Sequence, residues 1–149
     1  MAVRTVYLAS DHGGTVLKDA IISHLSERDI ELVDLGTNSS DSVDYPDYGF
    51  ALATALKGRG DAAGIAICGS GIGISIAANR FSWVRAALVH DVTTAQLCRQ
   101  HNDANVLALG ERTMGQATAL ACVDAFFSTD FEGGRHQRRI DKLSQPASE

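Results

Sequence analysis

The segment Ala66–Arg80, AICGSGIGISIAANR, places one cysteine directly before three glycines at alternate positions. Cys68 ends an apolar run, and Gly69, Gly71 and Gly73 lead into a helical pattern. Glycine permits positive φ and a close approach to the backbone, and turn amides that precede a helix can hold an anion. A cysteine in such a turn is favoured as the thiolate, which can act as a base or a nucleophile. The motif therefore predicts a reactive cysteine beside an anion-binding turn.

Two other interpretations of this motif differ in how well the residues fit them. A tight strand-to-helix turn with an inert buried cysteine is the main alternative to a reactive Cys68, and it stays open. A dinucleotide-binding loop is disfavoured, because the spacing is GxGxG, it follows the third predicted strand, and no ribose-binding acid follows about 20 residues later. Cys98 and Cys122 fall inside predicted helices, where inert side chains are expected.

Two histidines stand beside other polar side chains at the ends of predicted elements. His12 follows Asp11 at the end of the first predicted strand, and a neighbouring acid can orient or charge a histidine. His101 lies at the end of a predicted helix and is followed by Asn102 and Asp103. Taken alone, each histidine is as compatible with a structural role as with a catalytic one.

The other histidines and the cysteines do not require a metal. His24 lies inside the first predicted helix and is expected to be structural, and His90 is a weaker site candidate. The chain has no HxxxH or HExxH pair. Its three cysteines are widely spaced without a CxxC pair, which argues against a zinc site and a disulfide framework. We expect no metal ion and no cofactor.

A basic cluster, GGRHQRR, lies near the carboxyl terminus at Gly133–Arg139. Arg135 and Arg139 are four residues apart and would share a face of a final helix predicted at about 134–144. Two guanidinium groups on one face suit a phosphate, although a solvated terminal helix is the simpler alternative. The formal net charge of −5 argues weakly against a nucleic-acid partner. Because the rest of the chain is acidic, this basic cluster stands out as a local site for an anion.

The apolar patterns predict five short strands alternating with helices in one domain, residues 1–149. The strands are expected at 4–10, 30–36, 62–68, 84–90 and 104–110. The first two helices are expected at 15–28 and, with Pro46 in the first turn, through 49–57. The others are expected from the glycine turn through 79, at 91–102 with Thr93 and Gln96 as a capping box, and at 115–127. This alternation predicts a doubly wound, Rossmann-like three-layer α/β/α sandwich with a five-stranded parallel sheet.

Ligands of such folds bind at the carboxyl ends of the strands. The segments SDHGG at 10–14, CGSGIG at 68–73, HD at 90–91 and GER at 110–112 each follow a predicted strand. We therefore expect them to share one edge of the sheet.

Targeting signals are not evident. No apolar run is long enough to cross a bilayer, and the first residues lack the apolar region and cleavage site of a signal peptide. These features predict a cytoplasmic protein without a membrane partner. The last segment, LSQPASE at 143–149, is expected to be frayed and without function.

Five segments along the chain together resemble the type B ribose-5-phosphate isomerases of the ribose/galactose isomerase family. In order they are SDHGG, DLGTNSSDSVDYPDY, CGSGIGISIAANR, RQHNDANVLALGER and FEGGRHQRR. The resemblance implies an aldose–ketose isomerase that interconverts D-ribose 5-phosphate and D-ribulose 5-phosphate through a cis-enediolate without metal or nucleotide. A six-carbon sugar phosphate, such as allose 6-phosphate, and a non-catalytic sugar-phosphate binding module remain the alternatives.

The resemblance also implies residue roles. Cys68 matches the base of one branch of the family, whereas another branch uses a glutamate where this chain has Ile74, which cannot accept a proton. His101 matches the residue that opens the furanose ring. The substrate-binding positions implied are Asp11, His12, Gly69, Ser70, Gly71, Ile72, Gly73, Asn102, Arg112, Arg135 and Arg139. A homodimer or tetramer with sites at the subunit boundary is implied as well, and we expect His101 and Arg112 to reach a site across that boundary.

Overall fold

The computed structural model describes residues 2–145, which form alternating strands and helices. The strands are β1 (Thr5–Ser10), β2 (Glu31–Asp34), β3 (Ala62–Cys68), β4 (Ala86–Leu88) and β5 (Val106–Gly110). The helices are α1 (Thr15–Leu25), α2 (Tyr45–Leu56), α3 (Ile72–Ala78), α4 (Val92–Asn102), α5 (Gln116–Ser128) and α6 (Gln137–Leu143), with a 3₁₀ turn at Gly134–His136 before α6.

The strands form one parallel sheet in the order β2-β1-β3-β5-β4. This order confirms the predicted doubly wound α/β architecture. The chain adds β2 on one side of β1 and β3 on the other, so the order of the strands reverses beside β1. Ser10 pairs with Ile67, and Cys68 pairs with Gly110. The segments that follow β1, β3 and β5 therefore leave the same edge, which we call the carboxyl edge.

The central strand β3 is buried along its whole length, because helices cover both faces of the sheet. Ile65 and Ile67 face a core that contains Ile21 of α1 and Phe126 of α5. On the other face, Cys68 belongs to a core that contains residues of α2 and α3. The cysteine thus ends the central strand and points toward the α2–α3 layer.

Several helix ends differ from the sequence prediction. The predicted capping box of Thr93 and Gln96 is wrong, because the Asp91 side chain accepts the amide N–H of Thr94 at 2.7 Å and caps α4 one residue before it starts. By contrast, helix α2 starts at Tyr45, which confirms the prediction of Pro46 in its first turn. The predicted final helix is divided into the 3₁₀ turn and α6.

No helix in the described residues combines the length and apolar character that spanning a bilayer requires. Helix α6 ends at Leu143. The final four residues of the segment predicted to fray lie outside the described residues.

Candidate functional site

The loops after β1, β3 and β5 pack closely together at the carboxyl edge. A Cβ atom at Gly13 would lie 3.2 Å from the amide nitrogen of Gly69, and one at Gly110 would lie 2.5 Å from the carbonyl carbon of Ser70. Because side chains at these positions would meet neighbouring backbone, glycine permits the three loops to touch. The structure therefore brings SDHGG, CGSGIG and GER to one edge, as the sequence predicted.

Cys68 is both a core residue and a member of the glycine turn. It is 4% exposed, and its Sγ accepts the amide N–H of Gly71 at 3.1 Å. Any negative charge on the sulfur would strengthen this hydrogen bond. Ile74, where the resemblance implies a glutamate in another branch of the family, is fully buried. Of Cys68 and Ile74, only Cys68 can therefore accept a proton, which it does as the thiolate.

The turn uses two of its own amides internally. Gly71 donates to the Cys68 sulfur, and Ile72 donates its N–H to Ser70 Oγ at 3.2 Å. The Ile72 side chain is exposed and adds no polar group. The anion-binding role expected of the turn therefore falls on its remaining amides, including that of Gly73.

Gly71 has a φ of 76°, and a Cβ there would lie 2.6 Å from Leu88 Cδ1 and 2.8 Å from the carbonyl carbon of Leu109. We expect Gly71→Ala to lower the free energy of unfolding by roughly 1–3 kcal/mol more than Gly58→Ala. Gly58 is a matched control, since its φ is 73° and a Cβ there would meet no atom within 4 Å beyond its chain neighbours. Chemical denaturation of both variants measures the difference. Equal losses in the free energy of unfolding would show that the contacts of a Cβ at position 71 with Leu88 and Leu109 cost nothing.

His12 is oriented by backbone and not by the neighbouring acid. Asp11 is 7% exposed, and its Oδ1 accepts the amide N–H of Gly13 at 2.9 Å, which stabilises its own turn. The Nδ1 of His12 accepts the amide N–H of Val43 at 3.1 Å. An acceptor Nδ1 carries no proton, so the neutral ring has its proton on Nε2. The expectation that Asp11 orients His12 is replaced by this contact.

Arg112 belongs to the carboxyl edge of its own chain. Its amide donates to the carbonyl oxygen of Gly69 at 2.9 Å, and a Cβ at Gly69 would lie 3.2 Å from Arg112 Nη1. The guanidinium group therefore lies beside the glycine turn without any contribution from a second copy. Its expected reach across a subunit boundary is not needed to place it near Cys68.

Two further residues shape this edge without having been predicted. The Tyr45 ring packs on Gly73, where a Cβ would lie 2.5 Å from Tyr45 Cζ, and the tyrosine is 42% exposed. Glu111 Oε1 accepts the amide N–H of Leu17 at 2.6 Å, so the β5 loop caps helix α1. Tyr45 falls in a motif that carried the family resemblance, whereas no local sequence signal connects Glu111 with α1.

His101 and Asn102 lie at the opposite edge of the sheet. Helix α4 begins after β4 at the carboxyl edge and returns to the amino edge, where β5 starts. The carbonyl oxygen of Asn102 accepts Nε–H of Arg85, the residue directly before β4, at 3.1 Å. A five-residue strand such as β5 spans about 16 Å. Within one chain, the two predicted catalytic residues therefore lie at opposite edges of the sheet.

The basic cluster joins His101 at the amino edge. The rings of His101 and His136 stack with centroids 4.5 Å apart and an interplanar angle of 16°. His136 is buried, while Arg135 and Arg139 on either side of it are exposed. Glu132 Oε2 lies 3.7 Å from His136 Nε2, and the Glu132 amide N–H donates to the carbonyl oxygen of Gln100. The amino edge therefore presents the predicted ring-opening and phosphate-binding residues together.

Within residues 2–145, His101, Glu132 and His136 form the one group of metal-ligating side chains, with donor atoms within 4.8 Å of one another. The lone pairs of a stacked pair of imidazoles lie in nearly parallel planes. They do not converge on one point, as a shared ion would require. This group fits ring packing better than metal coordination.

Burial lowers the pKa of His136, and the neighbouring His101 and Arg135 lower it further. Because the folded protein favours the neutral ring, the unfolded chain binds protons more readily just below the ordinary histidine value of about 6.5. This contribution to stability is present above that value and is lost as the pH falls through the lowered pKa. We expect His136→Phe to narrow the difference in Tm between about pH 8 and about pH 5. An unchanged difference would contradict this assignment.

A cavity of about 730 Å³ opens at the amino edge. Its walls are the segment between α3 and β4, the end of α4 and the end of α6. Asn102 is the predicted site residue that lines it. The cavity thus accompanies the His101 half of the candidate site and lies away from Cys68.

Both edges fall within one family match. A model of the family described as Ribose/Galactose Isomerase matches residues 6–143. The chain belongs to this family. It is 46% identical over 142 residues to ribose-5-phosphate isomerase B of Escherichia coli K12, covering 95% of each chain. The sequence resemblance is confirmed at the level of this family and of the type B isomerases.

Solved structures of the family share the fold. The ribose-5-phosphate isomerase B of Clostridium thermocellum has a TM-score of 0.91 at 46% identity, covering 94% of this chain and 95% of that one. The Mycoplasma genitalium enzyme, solved with bound ribulose-5-phosphate, has a TM-score of 0.92 at 44% identity, covering 97% of this chain and 96% of that one. The family fold therefore includes both edges of the sheet described here.

Proposed function

We propose that this protein interconverts D-ribose 5-phosphate and D-ribulose 5-phosphate, with Cys68 as the base. The similarity to ribose-5-phosphate isomerases B, which extends over nearly the whole length of the chain, supports this interconversion. The observation that carries the residue assignment is the Cys68 sulfur at the end of the central strand, bonded to the glycine turn. The buried Ile74 supports the cysteine branch of the family, since it leaves no carboxylate at the alternative position.

In this proposal Cys68 acts on the open-chain sugar. The thiolate removes the proton from C2, and negative charge develops on O1 of a cis-enediolate while the O2 hydroxyl proton passes to O1. The same thiol returns its proton to C1, which gives the ketose with no net change in protons. Proton transfer by a positioned group contributes about 10²–10⁴-fold, and an amide donor to the developing charge contributes roughly 3–4 kcal/mol.

The amino-edge residues act before and around this step. His101 moves a proton to the ring oxygen and opens the furanose, and Asn102 lies beside it. Arg135 and Arg139 hold the phosphate, which takes no part in bond making. Its binding energy fixes the reacting carbons near Cys68. Asp11, His12 and Arg112 contact the sugar phosphate from the carboxyl edge.

The separation of the two edges supports a shared site. Cys68 and His101 of one chain lie at opposite edges of a sheet whose strand β5 spans about 16 Å, a length that exceeds the reach of one five-carbon sugar. We therefore place the amino edge of one copy against the carboxyl edge of another in a closed homodimer or tetramer. Such an assembly gives each site one Cys68 and one His101 from different subunits.

A turnover assay tests the reaction. We expect ketose to form from ribose 5-phosphate with a higher kcat/KM than from allose 6-phosphate. A higher kcat/KM for the six-carbon sugar would move the assignment to a six-carbon isomerase. Binding of both sugars without ketose formation would indicate a non-catalytic sugar-phosphate module.

The proposed chemistry uses only side chains and amides of the protein, with no metal or nucleotide, and its ligand is a small phosphorylated sugar. A nucleic acid or a membrane has no part in it. The cytoplasmic location stays a prediction from the sequence.

A further inference from the structure

Lys18 of α1 is a fully buried lysine with three hydrogen-bond acceptors. Its side chain is 0% exposed. Nζ donates to Asp34 Oδ1 at 2.6 Å, to the Thr37 carbonyl oxygen at 2.6 Å and to Asn38 Oδ1 at 2.9 Å. An ammonium group has three N–H donors, so each has a partner here. Burying a charge in this way is costly unless its partners are held in place.

The three acceptors belong to the end of β2 and the start of the segment that joins β2 to α2, residues 35–44, which we call the His12 loop. The same part of the loop is bound to the end of β1, because Ser10 donates its amide N–H to the Gly36 carbonyl at 2.8 Å and accepts that of Thr37 at 2.7 Å. Asp34 also accepts the Gly36 amide N–H at 2.9 Å. The first residues of the loop are therefore fixed on two sides.

The far end of the His12 loop holds the His12 ring. Val43 donates its amide N–H to His12 Nδ1 at 3.1 Å, which keeps the proton of the neutral ring on Nε2. The residue that follows the Val43–Asp44 pair starts α2. The loop therefore spans from the Lys18 anchor to that helix, and the amide that orients His12 lies in this span.

We propose that Lys18 is a positioning residue for His12, acting through the His12 loop. Helix α1 starts three residues after His12 and carries Lys18 in its first turns. Thus the helix that follows the histidine also anchors the loop that sets its tautomer. An apolar side chain could fill the same space without the desolvation of a charge, so the ammonium is explained by the loop geometry that its three bonds fix.

NMR of the ring nitrogens of His12 tests this proposal directly, in Lys18→Met and in Lys57→Met as a control on an exposed lysine. In the parent and in Lys57→Met we expect Nδ1 to be unprotonated and Nε2 to be protonated. In Lys18→Met we expect a mixture of both tautomers. With ribose 5-phosphate, we expect kcat/KM of Lys18→Met to fall by roughly 10–100-fold, while the protein remains folded by circular dichroism.

Only the kinetic part rests on the proposed function, since the tautomer is measured without substrate. An unchanged His12 tautomer in folded Lys18→Met would overturn the proposal. A changed tautomer with unchanged kcat/KM would support the anchor and count against the contact of His12 with the sugar phosphate. If Lys18→Met does not fold, Asn38→Ala removes one acceptor from an exposed side chain. A mixed tautomer in that variant supports the anchor, and the parent tautomer overturns it. Failure of the parent to form ketose would instead count against the proposed function.

Discussion

Replacing Cys68 with alanine is expected to abolish ketose formation while the protein still folds and binds ribose 5-phosphate. The substitution removes the proposed base, and Ile74 offers no substitute proton acceptor. We expect turnover to fall by at least about 10²–10⁴-fold, the usual contribution of a positioned proton-transfer group. Binding should persist because Arg112, Arg135 and Arg139 are unchanged. Turnover by steady-state assay and binding by calorimetry measure the two effects.

The other two cysteines provide matched controls. Burial raises the pKa of Cys98 to about 11, and burial also raises the pKa of Cys122. Neither thiol therefore supplies a thiolate near neutral pH. Per folded molecule, Cys98→Ala and Cys122→Ala should keep the turnover of the parent. Near-normal turnover of Cys68→Ala would remove this residue from the role of base.

Mixed oligomers of two inactive variants are expected to recover activity. If each site takes Cys68 from one subunit and His101 from another, a Cys68→Ala subunit paired with a His101→Asn subunit has one intact site and one doubly defective site. Random pairing in a dimer makes about half of the molecules mixed, so about a quarter of the parent activity should return. Coexpression of the two variants with different tags, followed by purification and assay, measures this recovery.

The matched control pairs two variants of the same edge. Cys68→Ala with Arg112→Ala leaves every site of a mixed dimer with one defective carboxyl edge, so its activity should not exceed the mean of the two variants. The absence of recovery in the Cys68→Ala and His101→Asn mixture, together with demonstrated mixed dimers, would show that each site is built from one chain.

The sequence predicts the sheet and the carboxyl edge well because both depend on local patterns. A strand buried on both faces is a continuous apolar run, as at Ala62–Cys68. A helix that returns between parallel strands must start at one edge and end at the other, so the position of His101 opposite Cys68 follows from the order of elements. The partner subunit of the proposed shared site cannot be inferred from the order of elements.

Contacts between distant segments are not readable in the same way. In α1 the apolar Val16 is 67% exposed, while the charged Lys18 is fully buried. The burial of Lys18 depends on acceptors from β2 and the His12 loop, which no spacing within α1 reveals. His12 shows the same limit, since its orienting amide belongs to Val43 and not to the adjacent Asp11.

A crystal structure of the protein with bound ribulose 5-phosphate tests the central claim most directly, because it shows the Cys68 sulfur beside the sugar on which it is proposed to act. We expect the C1–C2 edge of the sugar to lie about 3–3.5 Å from the Cys68 sulfur, with its phosphate on Arg135 and Arg139 of a second copy. A bound sugar whose C1 and C2 lie out of contact with the Cys68 sulfur, with another proton-accepting side chain facing them, would contradict the account.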